Sequence, residues 1–213
     1  MNEAYYVLAD GVKTGPFSLE EVIEQGISVD TQVCTLDTDW QNASYLPEFA
    51  EYFESLGYIF PTEENLAHFG WRVIAFVIDY FMIGVCVMYI AVNLNLIVLP
   101  APTASFESAM NTMFSQRSLQ YTELIFAIIF LTYNMLFELM PTRGTIGKRL
   151  FNLRVVDEDG DRLSFIKSFV RSIGLLTGFN IFGFIIAIIS FMISKNRQAW
   201  YDQVTKTYVV RVE

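Results

Sequence analysis

Two long apolar stretches of this sequence contain polar side chains that could carry chemistry. Arg72 and Asp79 lie seven residues apart in the first stretch, and Asn134 and Glu138 lie four residues apart in the second. On an α-helix, each of these spacings places both side chains on one face. A charge at the centre of a membrane span costs roughly 3 kcal/mol even on lenient scales. These residues therefore indicate either buried ion pairs or a functional site.

The depths of these four residues predict how they pair. If the two stretches form antiparallel helices, Glu138 lies near the depth of Arg72, and Asn134 lies near the depth of Asp79. We therefore predict an Arg72–Glu138 ion pair, with Asp79 deeper and beside Asn134. Because an apolar environment disfavours an ionised carboxylate, Asp79 is the best candidate for proton exchange. The alternative is that all these charges only lock the fold.

Composition and charge divide the chain into a small head and a membrane part. The 213 residues are 53% hydrophobic, with a mean hydropathy of +0.37. Residues 1–66 contain 13 acidic side chains and one basic one, whereas residues 67–213 contain 10 and 13. We predict a small α+β head over residues 1–60, a linker over 61–68 and an all-α membrane domain over 69–213.

Three hydrophobic stretches define the predicted membrane domain. They cover about residues 73–98, 122–140 and 169–193, and each is close to or longer than the roughly 20 residues that a helical span needs. The third contains the polar segment Thr177-Gly178-Phe179-Asn180, so we expect it to split into two helices or to form a re-entrant hairpin. Such a break would return the basic C-terminal tail to the side on which the third stretch begins.

The distribution of basic residues predicts the orientation in the membrane. Residues 99–121 contain one Lys or Arg, whereas residues 141–171 contain seven. Because loops rich in Lys and Arg stay in the cytoplasm, a basic hairpin over 141–168 is expected there. The N-terminus has no signal-peptide pattern, so we expect a cytoplasmic head. The predicted location is the cell membrane, specifically a bacterial inner membrane, with several spans.

The head resembles a known peptide-binding family. Tyr5-Tyr6, Gly15-Pro16-Phe17, a short helix with a capping box at Ser18 and Glu21, and Trp40 follow each other in the order of a GYF-like domain of the second type. This resemblance implies binding of proline-rich peptides on an aromatic cradle. The cradle candidates are Tyr5, Tyr6, Phe17 and Trp40. The alternative is that these aromatic rings form the small core of the head, with Phe17 the strongest core candidate.

The membrane part resembles the RDD family, which is named for an arginine and two aspartates. The resemblance covers about 145 residues and is carried by the following positions: Arg72, Asp79, Glu138, the segment Thr145-Ile-Gly147-Lys148-Arg149-Leu, Arg154-Val-Val-Asp157 with Gly160, Arg171, Trp200-Tyr201-Asp202 and Thr207-Tyr-Val-Val210. It implies an integral membrane protein in which Arg72, Asp79 and Asp202 are the residues of the family name. Some members of this family are linked to cation/proton antiport.

Several classes of function are disfavoured. The net charge of −9 argues against nucleic acid, and the spacing of the two cysteines predicts neither a disulfide nor a metal site. No catalytic set of side chains is recognisable, so we expect no enzyme and no cofactor. Two hypotheses remain. The protein moves a cation or small solute as a homo-oligomer within the lipid bilayer, or it is a membrane-anchored adaptor that recruits proline-rich partners and transports nothing.

Overall fold

The chain forms two compact units. A computed structural model describes residues 4–9, 11–36, 38–96, 103, 105–113 and 116–212. The first unit extends to Phe60 and includes Asp159–Asp161. The second unit consists of Pro61–Glu158 and Arg162–Glu213.

The first unit is a four-stranded sheet with two short helices. Strand β1 (Tyr5–Ala9) pairs with β2 (Val12–Phe17) and with β3 (Gln32–Cys34), which in turn pairs with β4 (Gln41–Asn42), and every pairing is antiparallel. The helices are α1 (Leu19–Glu24) and α2 (Ala50–Ser55). The predicted capping box begins α1, since Ser18 Oγ accepts the Glu21 N–H at 3.3 Å and the Glu21 carboxylate accepts the Ser18 N–H at 2.8 Å.

Alternation along β1 sets the core of this unit. Tyr5 and Val7 face inward and pack with Val33, Phe49 and Phe53, all of which are buried. Tyr6, which lies between Tyr5 and Val7, points to the opposite face of the sheet, as the two-residue period of a strand requires. The structure thus confirms a small sheet-rich N-terminal region.

The second unit is helical and contains two helices of membrane-spanning length. Helix α3 (Phe69–Asn93) is followed by α4 (Phe106–Met113) and α5 (Gln116–Leu139). The 25 residues of α3 and the 20 residues Gln120–Leu139 of α5 are long and apolar enough to cross a bilayer. Both predicted spans are therefore confirmed as candidate membrane helices.

Shorter elements complete the second unit. In chain order they are α6 (Ile146–Leu150), β5 (Leu153–Asp157), α7 (Phe165–Thr177), α8 (Ile181–Ile193), α9 (Trp200–Thr205) and β6 (Thr207–Arg211). The third hydrophobic stretch is split, because α7 and α8 meet at an angle of 118°. Each of these two helices has 13 residues, which corresponds to about 20 Å and is shorter than a bilayer core of about 30 Å.

Strand pairing brings three parts of the second unit together. Strands β5 and β6 form an antiparallel pair in which Val155 lies opposite Val209. Just before α3, the N–H of Ala67 donates to the carbonyl of Val209 at 2.9 Å. The beginning of α3, the segment after α5 and the C-terminal strand are thus neighbours.

Candidate functional site

A buried charged network occupies the second unit, with Arg171 at its centre. The Arg171 side chain is 2% exposed, donates from Nη1 to Glu138 and donates from Nε to Asp202 Oδ1 at 2.9 Å. Glu138 also binds Lys148 Nζ at 2.7 Å, and Asp202 also binds Arg72 Nη1 at 2.8 Å. Three cations therefore alternate with two carboxylates, and each carboxylate binds two cations. These five residues are called the charged network below.

Local sequence explains how Arg171 and Asp202 reach the network. On α7, Ser168, Arg171 and Ser172 are buried at three- and four-residue spacing, so they share the inward face of the helix. The opposite face of α7 is apolar and exposed. Asp202 lies in the first turn of α9, where its carboxylate also accepts the N–H of Ala199 at 3.2 Å. Its negative charge is favourable at this helix start.

The predicted ion pair between Arg72 and Glu138 is wrong. Arg72 pairs with Asp202, whereas Glu138 pairs with Arg171 and Lys148. The two residues of the predicted pair do belong to one network, but Arg171 and Asp202 stand between them. Their partners come from α6, α7 and α9 instead.

Asp79 lies in a second buried cluster, at the beginning of α6. Its carboxylate accepts hydrogen bonds from Tyr133 Oη at 2.6 Å, from Thr145 Oγ1 at 2.5 Å and from the N–H of Gly147 at 2.8 Å. Tyr133 Oη accepts the N–H of Ile146 at 2.9 Å. Asp79 and Tyr133 together satisfy N–H groups of the first turn of α6, which otherwise lack partners. The carboxylate thus holds α6 against α3 and α5.

Asn134 contributes less to this cluster than its spacing predicts. Its Nδ2 donates to the carbonyl of Phe130 at 3.0 Å, within its own helix. The side chain that reaches Asp79 from α5 is Tyr133, one residue earlier. Asn134 and Asp79 nevertheless line the same cavity.

Burial changes the acidity of two groups at the edge of the charged network. It lowers the pKa of the Lys148 amine, and the nearby Glu138 carboxylate opposes this shift without cancelling it. Burial, followed by the negative charge of Asp202, raises the pKa of the Tyr201 hydroxyl. Burial is thus the main cause of both shifts.

A cavity of about 100 Å³ lies beside the charged network, with walls from α3, α5, α7 and α8. Six of the residues that line it are charged or polar: Arg72, Asp79, Asn134, Lys148, Arg171 and Tyr201. Most of the others are apolar, including Phe76, Phe130, Leu175, Phe184, Ile188 and Phe191. Charged and apolar side chains are neighbours on this lining, since the Arg72 guanidinium lies 5.2 Å from the centre of the Phe191 ring.

The first unit separates the four predicted cradle residues. Tyr5 is 3% exposed and packs edge-to-face on Phe49 at a centroid distance of 5.5 Å, so it belongs to the core rather than to a peptide-binding surface. Phe17 is partly buried and packs against the same core. The alternative of a structural role is therefore correct for Tyr5, although the sequence favoured Phe17 for it.

Tyr6 and Trp40 remain as surface candidates. The Lys13 amine lies 3.9 Å from the centre of the Tyr6 ring and 5.9 Å from the centre of the Trp40 ring. Trp40 is 39% exposed. The Lys13 amine thus lies near the rings of two of the four predicted cradle residues.

Sequence reasoning about the site missed Arg171, Lys148, Tyr133 and Thr145. Arg171 had a usable signal, because a Ser-x-x-Arg-Ser stripe on an apolar helix marks an inward polar face. Thr145 also had one, since it precedes α6 as an N-cap and accepts the Lys148 N–H at 3.4 Å. Tyr133 had none, because an aromatic residue in an apolar span is most simply read as a packing residue.

Comparison with known proteins identifies the second unit. Among the described residues, no group of three or more His, Cys, Asp or Glu side chains could hold a metal ion. Neither the curated proteins nor the solved structures contain a significant match. The model of the RDD family matches residues 66–206, which is more than half of the chain and includes every residue of the charged network. The chain therefore belongs to the RDD family.

Proposed function

We propose that this protein binds a small solute in the cavity of its membrane unit and moves it across the bilayer as a homo-oligomer. The observation that carries this proposal is the cavity of about 100 Å³ between helices of membrane-spanning length, bordered by Arg72, Asp79, Lys148 and Arg171. Ionisable groups at membrane depth are expensive and commonly mark the path of a substrate or ion. The cation or other solute predicted from the sequence would enter here.

The number of spans supports an oligomer. Two spanning helices and one bent helix pair provide too few walls to enclose a pathway on their own. A second copy would supply the missing walls. The excess of basic residues after α5 favours an orientation with residues 141–168 and the N-terminal unit in the cytoplasm of a bacterial cell.

Asp79 has a defined part in this proposal. Its three hydrogen-bond donors hold the carboxylate in place, and two of them come from the beginning of α6. Protonation would weaken these bonds, since a neutral carboxyl group is a poorer acceptor. Proton exchange at Asp79 would therefore be coupled to release of α6, which also carries Lys148 to the cavity.

Flux measurements in proteoliposomes test transport. A dye inside the vesicles reports pH while gradients of Na⁺, K⁺ or phosphate are imposed, and we expect the wild type to accelerate the pH change. Asp79→Asn should abolish the acceleration, whereas Glu123→Gln, which alters an exposed carboxylate of α5 outside the cluster, should not. A wild type that behaves like empty vesicles with every solute would overturn the proposal of transport.

A second candidate function is supported by the aromatic pair of the first unit. Tyr6, Lys13 and Trp40 form a partly exposed surface of the kind on which proline rings stack, so a membrane-anchored adaptor for proline-rich partners is the alternative function. Calorimetric titration of proline-rich peptides into the full chain in detergent tests it. Trp40→Ala should abolish binding, and Tyr45→Ala, at another exposed aromatic residue, should not. Absence of binding to the wild type would remove this candidate.

A further inference from the structure

A second cavity of the second unit lies outside the charged network and is called the basic cavity below. It has a volume of about 270 Å³, and the described residues that line it are Thr142, Arg149, Asn152, Leu153, Arg154 and Val212. Among the described residues, it shares only Leu153 with the cavity of the proposed function. One water molecule needs roughly 10–15 Å³ of such volume, so the basic cavity has room for a polar group much larger than water.

Two arginines give the basic cavity its charge. Arg149 and Arg154 are exposed, and their side chains form no ion pair or hydrogen bond within the described part of the chain. No Asp or Glu is present among the described residues that line the cavity. The two guanidinium groups therefore differ from Arg72, Lys148 and Arg171, each of which binds a buried carboxylate.

Local structure explains why both arginines are accessible. Arg154 lies in β5 between Leu153 and Val155, which are buried, so the two-residue period of the strand turns Arg154 to the opposite, exposed side. On α6, Gly147 is buried and Arg149 follows two positions later, which is about 200° around the helix. Each guanidinium group thus keeps its donors available to a ligand.

Backbone hydrogen bonds hold the walls of the basic cavity together. The N–H of Val155 donates to the carbonyl of Arg143 at 2.7 Å and joins β5 to the segment after α5. The N–H of Val212 donates to the carbonyl of Asn152 at 2.9 Å and joins the end of β6 to the turn after α6. The Asn152 side chain adds an amide, whose NH₂ group is a further donor. The lining therefore presents fixed donors and an excess of positive charge.

From these observations we infer that the basic cavity binds a phosphate group. Arg149 and Arg154 donate to the phosphate oxygens, and their two positive charges offset its negative charge. Arginine suits this task because its planar guanidinium group can donate two parallel N–H bonds to one phosphate. The phosphate belongs either to the headgroup of a membrane lipid or to a soluble phosphate, since both offer the same acceptor oxygens.

The position of the basic cavity in the chain favours a lipid as the source. A spanning α5 would end at Leu139, and Thr142 follows three residues later, which is at most about 11 Å of chain. Leu150, the neighbour of Arg149 in the chain, is 64% exposed. Basic and apolar side chains side by side favour the boundary between anionic headgroups and acyl chains.

Calorimetric titration of the purified full chain in detergent tests this inference. Dioctanoyl phosphatidate is compared with dioctanoylglycerol, which has the same acyl chains and no phosphate. One charge-assisted hydrogen bond predicts a preference for phosphatidate of about tenfold or more. Inorganic phosphate is the soluble probe, and binding as tight as that of phosphatidate would identify a soluble phosphate as the ligand, whereas much weaker binding would identify a lipid. Equal affinities for phosphatidate and dioctanoylglycerol, together with no binding of inorganic phosphate, would overturn the inference.

Variants locate the phosphate at the two arginines. Arg149→Gln and Arg154→Gln should each weaken phosphatidate binding about tenfold and leave dioctanoylglycerol binding unchanged. Lys195→Gln removes the same charge from an exposed position outside the cavity and should have no effect. Phosphatidate binding as tight in both arginine variants as in the wild type would refute the inference. The result is independent of transport, because Asp79→Asn should abolish flux and leave phosphatidate binding intact.

Discussion

Asp202 offers the sharpest test of the charged network. Its carboxylate is fully buried and accepts hydrogen bonds from Arg72, Arg171 and the N–H of Ala199. Asn at this position keeps the volume and one acceptor oxygen but removes the negative charge. Arg171 retains Glu138 as a partner, whereas Arg72 loses its carboxylate.

The expected loss of stability is large. Breaking a buried ion pair by removing one partner costs about 3–5 kcal/mol, because the other charge stays buried without compensation. Asp202 is the third residue of α9 and accepts the N–H of Ala199, so weakening this hydrogen bond adds at most about 1 kcal/mol, since Asn keeps an acceptor oxygen. Asp202→Asn should therefore lower the free energy of unfolding by several kcal/mol. The matched control is Glu158→Gln, which breaks an exposed pair with Lys206 and should cost less than about 1 kcal/mol.

Unfolding by SDS in mixed micelles measures both changes. A double-mutant cycle with Arg72→Met isolates the pair, and we expect the two single changes to be coupled by more than about 1 kcal/mol. If Asp202→Asn costs no more than Glu158→Gln, the buried network does not stabilise the fold in the way its geometry requires. A coupling of zero would show that Arg72 and Asp202 act independently.

Two further predictions concern the docking of α6 and the path of the chain through the membrane. Gly147→Ala should lower the free energy of unfolding by about 1–3 kcal/mol in the same SDS assay, because its methyl group would overlap the backbone carbonyl oxygen of Ala75 on α3 and lie 2.9 Å from the Asp79 carboxylate. The control Gly84→Ala has open space and should change this free energy by less than about 1 kcal/mol. In a variant without native cysteines, Thr103→Cys and Lys206→Cys should react with an impermeant maleimide from opposite sides of sealed vesicles. Reaction from the same side would refute the return of α7–α8.

The spans and the break between α7 and α8 were predictable from the sequence. Both follow from local composition: an apolar run of about 20 residues predicts a spanning helix. The polar segment at residues 177–180 interrupts the third run. The same holds for the beginning of α1, because a capping box is a pattern of four residues.

The ion pairs were only partly predictable. Comparing depths on two helices places Arg72 and Glu138 at one level, but it cannot include residues from other elements. Asp202 is 130 positions from Arg72 in the chain, and Arg171 is 33 positions from Glu138. Both reach the network only because α7 and α9 fold back on the spans, and helical spacing in the sequence contains no information on that return.

A different ambiguity limits the prediction of which aromatic residues in the first unit are exposed. Tyr5 and Tyr6 are neighbours in a strand, so the period of two requires them to face opposite sides. Which of them faces the core depends on where Phe49 packs, more than 40 positions later in the chain. The sequence could therefore show that the two tyrosines have different roles, but not which tyrosine has which role.

Stability alone does not explain why the charged network exists. Buried ion pairs and triads can often be replaced by apolar residues of similar volume without loss of stability, because desolvation offsets most of their attraction. An apolar cluster of Leu and Met at all five positions of the charged network would hold these helices together about as well. What such a cluster could not provide is the set of charged side chains, Arg72, Lys148 and Arg171, that line the cavity beside the network.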